Sequence, residues 1–190
     1  MKLAVFLAAV AAALLYLVTL YNALVNLKHQ LTQSWANIDV ILKQRHDELP
    51  KLVEVCRQYA AFEQETLTQV MAARGAVADS ARARDPEALG AAEGRLHGLI
   101  GQLYAVAEAY PALQADQQFA QLSERITQLE EALADRRELY NEAVKLHNAR
   151  IEQFPDLLLA RLFHFPPARP LRFAAAETRD VDMQALFARR

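Results

Sequence analysis

The sequence predicts an all-α protein, with an N-terminal transmembrane helix leading into a long antiparallel, up-down-up-down four-helix bundle. Three observations carry this expectation. Leu3 to Leu27 run for 25 positions without a charged side chain, between Lys2 and Lys28. Beyond them, apolar residues recur at steps of three and four, the spacing that lines one face of a helix. No stretch of the body alternates apolar and polar residues as a half-buried strand would.

The opening segment, LAVFLAAVAAALLYLVTL, has Thr19 as its one clearly polar residue. About 20 apolar residues at ~1.5 Å each span a ~30 Å hydrocarbon core, so this run is long enough to cross a bilayer. The competing reading is a cleaved signal peptide, whose basic start Met1-Lys2 would also supply. The run exceeds the usual ~7–15 residues of such an apolar region, and no small-x-small site follows it. An uncleaved anchor is therefore expected over residues 1–27, then a bundle over 28–155 and an apolar, basic tail over 156–190.

Pro50, Pro86, Pro111 and Pro155 divide the body into four segments, since proline suits a helix start and breaks its interior. The first carries Leu24, Leu27, Leu31, Trp35, Ile38, Leu42, Arg45 and Leu49 on one face. The second carries Leu52, Cys56, Tyr59, Glu63, Thr66, Val70, Arg74 and Val77. Asp85-Pro86-Glu87 opens the third with an N-cap acceptor, a preset φ and an acid at the positive end of the dipole. That helix shows Leu89, Glu93, Leu96, Ile100, Leu103 and Val106 on one face, with Gly90, Gly94 and Gly98 at every fourth position. Helical glycines cost ~1 kcal/mol each relative to alanine, so close approach of a neighbouring helix is expected there. The fourth runs Phe119, Leu122, Ile126, Leu129, Leu133, Arg136, Tyr140, Val144, His147 and Ile151.

The four segments together resemble the LemA family of bacterial membrane-anchored helical proteins. The resemblance begins at Tyr21-Asn22 and is densest through Trp35, Ile38-Asp39-Val40, Leu42-Lys43, Arg45, Asp47, Pro50 and Leu52-Val53. It continues through Glu108-Ala109-Tyr110-Pro111 and closes with Glu130, Arg137, Tyr140-Asn141, Val144, Asn148 and Phe154-Pro155. It implies one N-terminal transmembrane helix, a long helical bundle and no established enzymatic activity. Two departures stand out. Lys28-His29-Gln30 lies where the family has several arginines, and His164 lies where a glycine is usual.

Composition narrows the function classes. The formal net charge is −2, which gives no bulk electrostatic case for nucleic acid. The six arginines of residues 161–190 against three acids make the tail basic after an acidic body. Cys56 is the only cysteine and lies on an apolar stripe, so it reads as a buried core residue. No histidine follows a glutamate by three residues, the spacing a di-metal carboxylate bundle needs, and no His-Glu-x-x-His or phosphate loop occurs. No catalytic residue, cofactor or metal is expected. The protein reads as an interaction or scaffold module at a membrane, with an unidentified protein partner. A coiled-coil homo-oligomer is the alternative, and an unrecognised enzyme a further one.

Structural candidates follow from charge on the apolar stripes. Asp39 and Lys43 form an i, i+4 pair typical of a solvated face. Arg45, Glu63, Arg74 and Arg136 fall among apolar residues and need partners, with Arg45 expected to meet Glu63 or Glu130 across helices. Trp35 is expected in the core. Tyr140, Asn141 and Asn148 are expected to make interhelical hydrogen bonds, and the resemblance adds Arg137.

In an up-down-up-down bundle the fourth helix returns to the membrane near Phe154-Pro155. The tail, PDLLLARLFHFPPARPLRF, then offers Arg161, Phe163, Phe165, Arg169 and Arg172 to the lipid surface. The other reading is that Leu158, Leu162 and Phe165 fold back and cap the core. A single-pass location in a bacterial inner membrane is expected. Lys2 against Lys28, Lys43 and Arg45 leaves the side of the bundle open: the family's arginine-rich flank favours the cytoplasm, and the signal-anchor look of Met1-Lys2 favours the opposite side.

Overall fold

The computed structural model describes residues 1–59 and 63–173, and every regular element among them is helical. Helix α1 spans Lys2–Arg57, α2 Gln64–Ala83, α3 Pro86–Ala107, α4 Pro111–Gln114, α5 Gln117–Glu152 and α6 Asp156–Leu162. Among the described residues the chain forms two compact units, one of residues 1–38 and 135–170 and one of residues 39–134 with Leu171–Phe173. Helices α1 and α5 contribute to both.

The second unit is the four-helix bundle. Its α1 portion runs antiparallel to α5, with Arg45 beside Glu130 and Tyr59 beside Asp116. Helix α3 also opposes α5, since His97 meets Glu130 while Tyr104 donates to the carbonyl of Ser123. Helices α2 and α3 pack as a hairpin through the turn at Arg84-Asp85. Leu49, Leu52, Leu67, Leu96, Ile100 and Ile126 are fully buried, so the periodic stripes do form the core. Asp85 caps α3 as its sequence suggests, accepting from the amides of Glu87 and Ala88, with Pro86 in the first turn. Asp116 caps α5 in the same way through Gln118 and Phe119. These two amides hold the Asp116 carboxyl below its usual range.

The expectation that Pro50 ends the first helix is corrected. Helix α1 continues through Pro50 to Arg57. Proline lacks an N–H, so the carbonyl four residues earlier, that of His46, loses its intrahelical donor. Arg74 of α2 supplies the replacement, its Nε donating to the His46 carbonyl at 2.8 Å. A charged donor from a neighbouring helix thus allows the proline inside the helix. Arg74, expected on the apolar stripe, is half-buried in this role.

The glycine face of α3 is also corrected. Among the described residues nothing lies within 4 Å of where a Cβ of Gly98 would stand, so none of the described helices approaches it closely. At Gly90 the close neighbour is the carbonyl of Arg172, in extended chain after α6, and a side chain would collide with it.

In the first unit α1 again opposes α5, for Trp35 packs edge-on against Tyr140 with ring centroids 5.3 Å apart. Leu20, Leu24, Ile151, Leu159 and Ala160 form a small core, with Phe165 packed against it. His164 takes the left-handed conformation at the end of α6, φ 55°, and the Phe165 amide closes the turn on the carbonyl of Ala160 at 2.9 Å. The turn a glycine would favour is therefore made without one.

Two pairs of substitutions test these contacts. Gly98→Ala should raise stability by about 0.5–1 kcal/mol, whereas Gly90→Ala should lower it by about 1–3 kcal/mol. Thermal melts of the detergent-solubilised chain distinguish the two signs. Arg74→Met should cost ~1–3 kcal/mol by orphaning the His46 carbonyl. In a Pro50→Ala background, where the helix supplies its own donor, the same change should cost markedly less.

Candidate functional site

The most concentrated polar chemistry lies inside the bundle. Arg45 shares its stripe on α1 with Leu42, Leu49 and Leu52, so the packing that buries those leucines carries the guanidinium inward, to 2 % exposure. Glu93 sits likewise between Leu89 and Leu96 on α3, also at 2 % exposure. The two form a buried ion pair through Arg45 Nη2. The other amino group of Arg45 lies 3.6 Å from Glu130 Oε1 on α5, and that oxygen is 3.4 Å from Nδ1 of His97. One guanidinium therefore ties three helices together.

Burial drives the Glu93 carboxyl above its usual range, with Arg45 opposing the shift. Among the described residues its buried Oε1 has no hydrogen-bond partner. A cavity of about 270 Å³ opens beside the cluster, lined by Arg45, Glu93, His97, Glu130, Glu131 and Phe173 among others. Among the described residues no group of three or more His, Cys, Asp or Glu side chains is placed to hold a metal ion. Burial pushes the Cys56 thiol up to about 11 and the Tyr104 hydroxyl up to about 12, away from nucleophilic or acid–base use near neutrality.

A second polar set lies on α5 in the other unit and holds the extended chain after α6. Tyr140 donates to the carbonyl of Arg169 at 3.0 Å, and His147 Nε2 donates to that of Pro166 at 3.0 Å. Asn148 donates to the carbonyl of Ala168 and accepts from its amide, at 2.9 and 2.8 Å. Pro166, Pro167 and Pro170 keep this segment extended and without a helical ladder, so its carbonyls need outside donors. The side chains of α5 provide them.

The sequence candidates are distributed over these sites. Arg45 and Glu130 meet, but Glu63 does not join them. It is exposed at the start of α2 and accepts from the Thr66 hydroxyl at 3.0 Å. The partner missed by sequence reasoning is Glu93, although its place on the α3 stripe was a usable signal. Asp39 is exposed at a shallow hollow with Lys43, His46 and Arg82. Trp35 is half-buried against Tyr140 and is not a core residue. Arg136 faces outward, while Arg137 and Asn141 are half-buried on α5. Tyr140 and Asn148 bond backbone of the tail instead of another helix.

The tail candidates separate. Phe165 packs on Leu20, Leu24 and Ile151, and Leu171 is fully buried, so neither faces outward. Arg169 and Arg172 are exposed, yet their carbonyls are held at Tyr140 and against Gly90. Arg161 and Phe163 remain exposed on and just after α6. The cap itself is corrected too, since Leu159 and Ala160 face inward while Leu158 and Leu162 face out.

Comparison with known proteins adds a family and named relatives. Residues 34–184 match the LemA family. Magnetosome proteins MamQ 1 and MamQ 2 of Paramagnetospirillum magneticum are each 25% identical over 182 residues, covering 84% of this chain and 67% of theirs. Magnetosome protein MamQ of Magnetospirillum gryphiswaldense is 23% identical over 188 residues, 87% of this chain and 69% of its own.

The Arg45 cluster should behave as a coupled pair. Arg45→Met leaves Glu93 buried without its cation and should cost about 3–5 kcal/mol. Adding Glu93→Leu should recover most of that loss. A double-mutant cycle from urea melts of the solubilised chain reads the coupling, and additive losses would show that the pair does not set the helix register.

Proposed function

The chain belongs to the LemA family, and on that premise we propose that it is a single-pass membrane protein whose helical bundle serves as an interaction or scaffold module. The observation that carries this is the surface of α1. Leu3, Val5, Phe6, Leu7, Leu14, Leu15 and Leu17 are all exposed, on every side of the helix. In its most apolar stretch of 18 residues only 6% are buried. A helix apolar all round and uncovered by protein needs a nonpolar surrounding, and a bilayer supplies one. The working division remains an anchor over residues 1–27, a bundle over 28–155 and a tail over 156–190.

The rest of the chain supports binding over chemistry. Its most buried charges form an internal ion-pair cluster that fixes helices, and its lone thiol is held protonated by burial. The relatives named magnetosome proteins support a bacterial setting, which makes the inner membrane the location we propose. The charges beside the anchor, Lys2 against Lys28, Lys43 and Arg45, are nearly balanced, and the arginine-rich flank usual in the family leads us to place the bundle in the cytoplasm.

One observation favours self-association as a second reading. Leu139 and Leu146, seven positions apart on α5, are both exposed. That spacing forms a coiled-coil seam when a second copy covers it. Light scattering of the solubilised chain gives the oligomer mass, and Leu139→Glu with Leu146→Glu should reduce a multimer to a monomer.

Carbonate or high-salt washing should leave the protein with the membrane fraction. Protease added to intact spheroplasts should spare the bundle and digest it only after lysis. A soluble mature protein starting beyond Leu20 would refute the anchor, and digestion before lysis would reverse the orientation.

A further inference from the structure

Helix α6 has two apolar sides. Its inner side, Leu159 and Ala160, is buried with Leu20, Leu24 and Ile151. Its outer side presents Leu158 at 60 % and Leu162 at 67 % exposure, one turn apart, flanked by Phe154 at 80 % and Phe163 at 51 %. A soluble surface seldom leaves four large apolar side chains this open over so short a segment.

Their depth says what covers them. Leu20 closes the 18-residue apolar run of α1 that begins at Leu3, a length of ~27 Å at 1.5 Å per residue, close to one hydrocarbon thickness. Helix α6 packs on that same Leu20, and the Phe163 ring stands edge-on to Tyr21 at 4.9 Å. The outer face of α6 is thus level with the point where α1 leaves the bilayer, continuous with the anchor's own exposed apolar surface. Tyr21 and Phe163 stand where aromatic side chains favour the membrane interface. The exposed Arg161 in the last turn of α6 suits a headgroup phosphate. Asp156, the buried acid of α6, is bound by Arg150 at 2.9 Å, which holds the short helix on α5 in this orientation.

We propose that α6 is a membrane foot: its outer face, Leu158 and Leu162 with Phe154 and Phe163, lies in the lipid interface of the leaflet from which α1 emerges. The anchor then contacts the bilayer along a span and the foot contacts it from the side. Two such contacts fix the rotation of α1 about its own axis, which a lone spanning helix leaves free. This rests on the spanning role proposed for α1.

The test uses the full chain in vesicles of phosphatidylcholine and phosphatidylglycerol whose acyl chains are partly brominated. Buried Cys56 is replaced by alanine, and a nitrobenzoxadiazole label is placed at Leu158→Cys, Leu162→Cys, Val10→Cys in the anchor or Glu138→Cys on the exposed face of α5. Quenching at positions 158 and 162 should reach at least about half that at position 10 and clearly exceed that at 138, as expected for side chains ~5–10 Å into the interface. Quenching at position 10 with none at 158 and 162 overturns the foot and leaves the anchor standing. Blue-shifted emission at 158 and 162 without bromine quenching means protein covers the face, and also overturns it. No quenching at position 10 removes the spanning helix and the foot together.

Discussion

The buried guanidinium of Arg45 is the constraint on which the bundle's register depends. Leucine stripes repeat, and two such stripes can slide by a turn while still burying similar area. A charge at 2 % exposure has no such freedom, because leaving it unpaired costs several kcal/mol. Glu93 on α3 and Glu130 on α5 must both lie level with it, so one residue aligns three helices at once. Apolar packing supplies the driving force for association, and the ion-pair cluster selects which association is correct.

A second theme is the completion of backbone hydrogen bonding by side chains from neighbouring elements. Pro50 leaves the His46 carbonyl without its helical donor, and Arg74 replaces it. The proline-rich chain after α6 has no ladder of its own, and Tyr140, His147 and Asn148 donate to its carbonyls. In both cases proline creates the need and a polar residue on a helix meets it. A fully buried orphaned carbonyl costs ~1–3 kcal/mol, and these part-buried ones give each donor a share of that stabilisation. Such residues resemble functional candidates in a sequence, being polar residues set among apolar ones, yet their partners are backbone atoms of the same chain.

The first unit combines these features with an outward apolar surface. Its small core of Leu20, Leu24, Ile151, Leu159 and Ala160 holds α6 beside the end of the apolar run of α1. Outside that core, Leu158, Leu162 and Phe163 stand exposed on and just after α6. The bundle unit, by contrast, buries its large apolar stripes almost completely. Membership of the LemA family and relatives named magnetosome proteins agree with a membrane location for such an arrangement.

The sequence by itself determined the helical class, the apolar N-terminal run, the core stripes and the Asp85-Pro86 start of α3. These depend on periodicity and local capping chemistry, which act within a turn or two of each residue. Only the tertiary structure decided the passage of α1 through Pro50, because the compensating donor comes from Arg74 on another helix. It likewise decided that Arg45 meets Glu93 and not Glu63, since both acids lie on apolar stripes and only packing tells which stripes face each other. The use of Gly90 was hidden for the same reason, its neighbour being Arg172, some eighty positions away in the chain. For the tail, composition could not separate a cap from a lipid contact. The fold assigned Leu159 inward and Leu158 outward on consecutive residues, because the direction of α6 is fixed by what it packs against and not by its own composition.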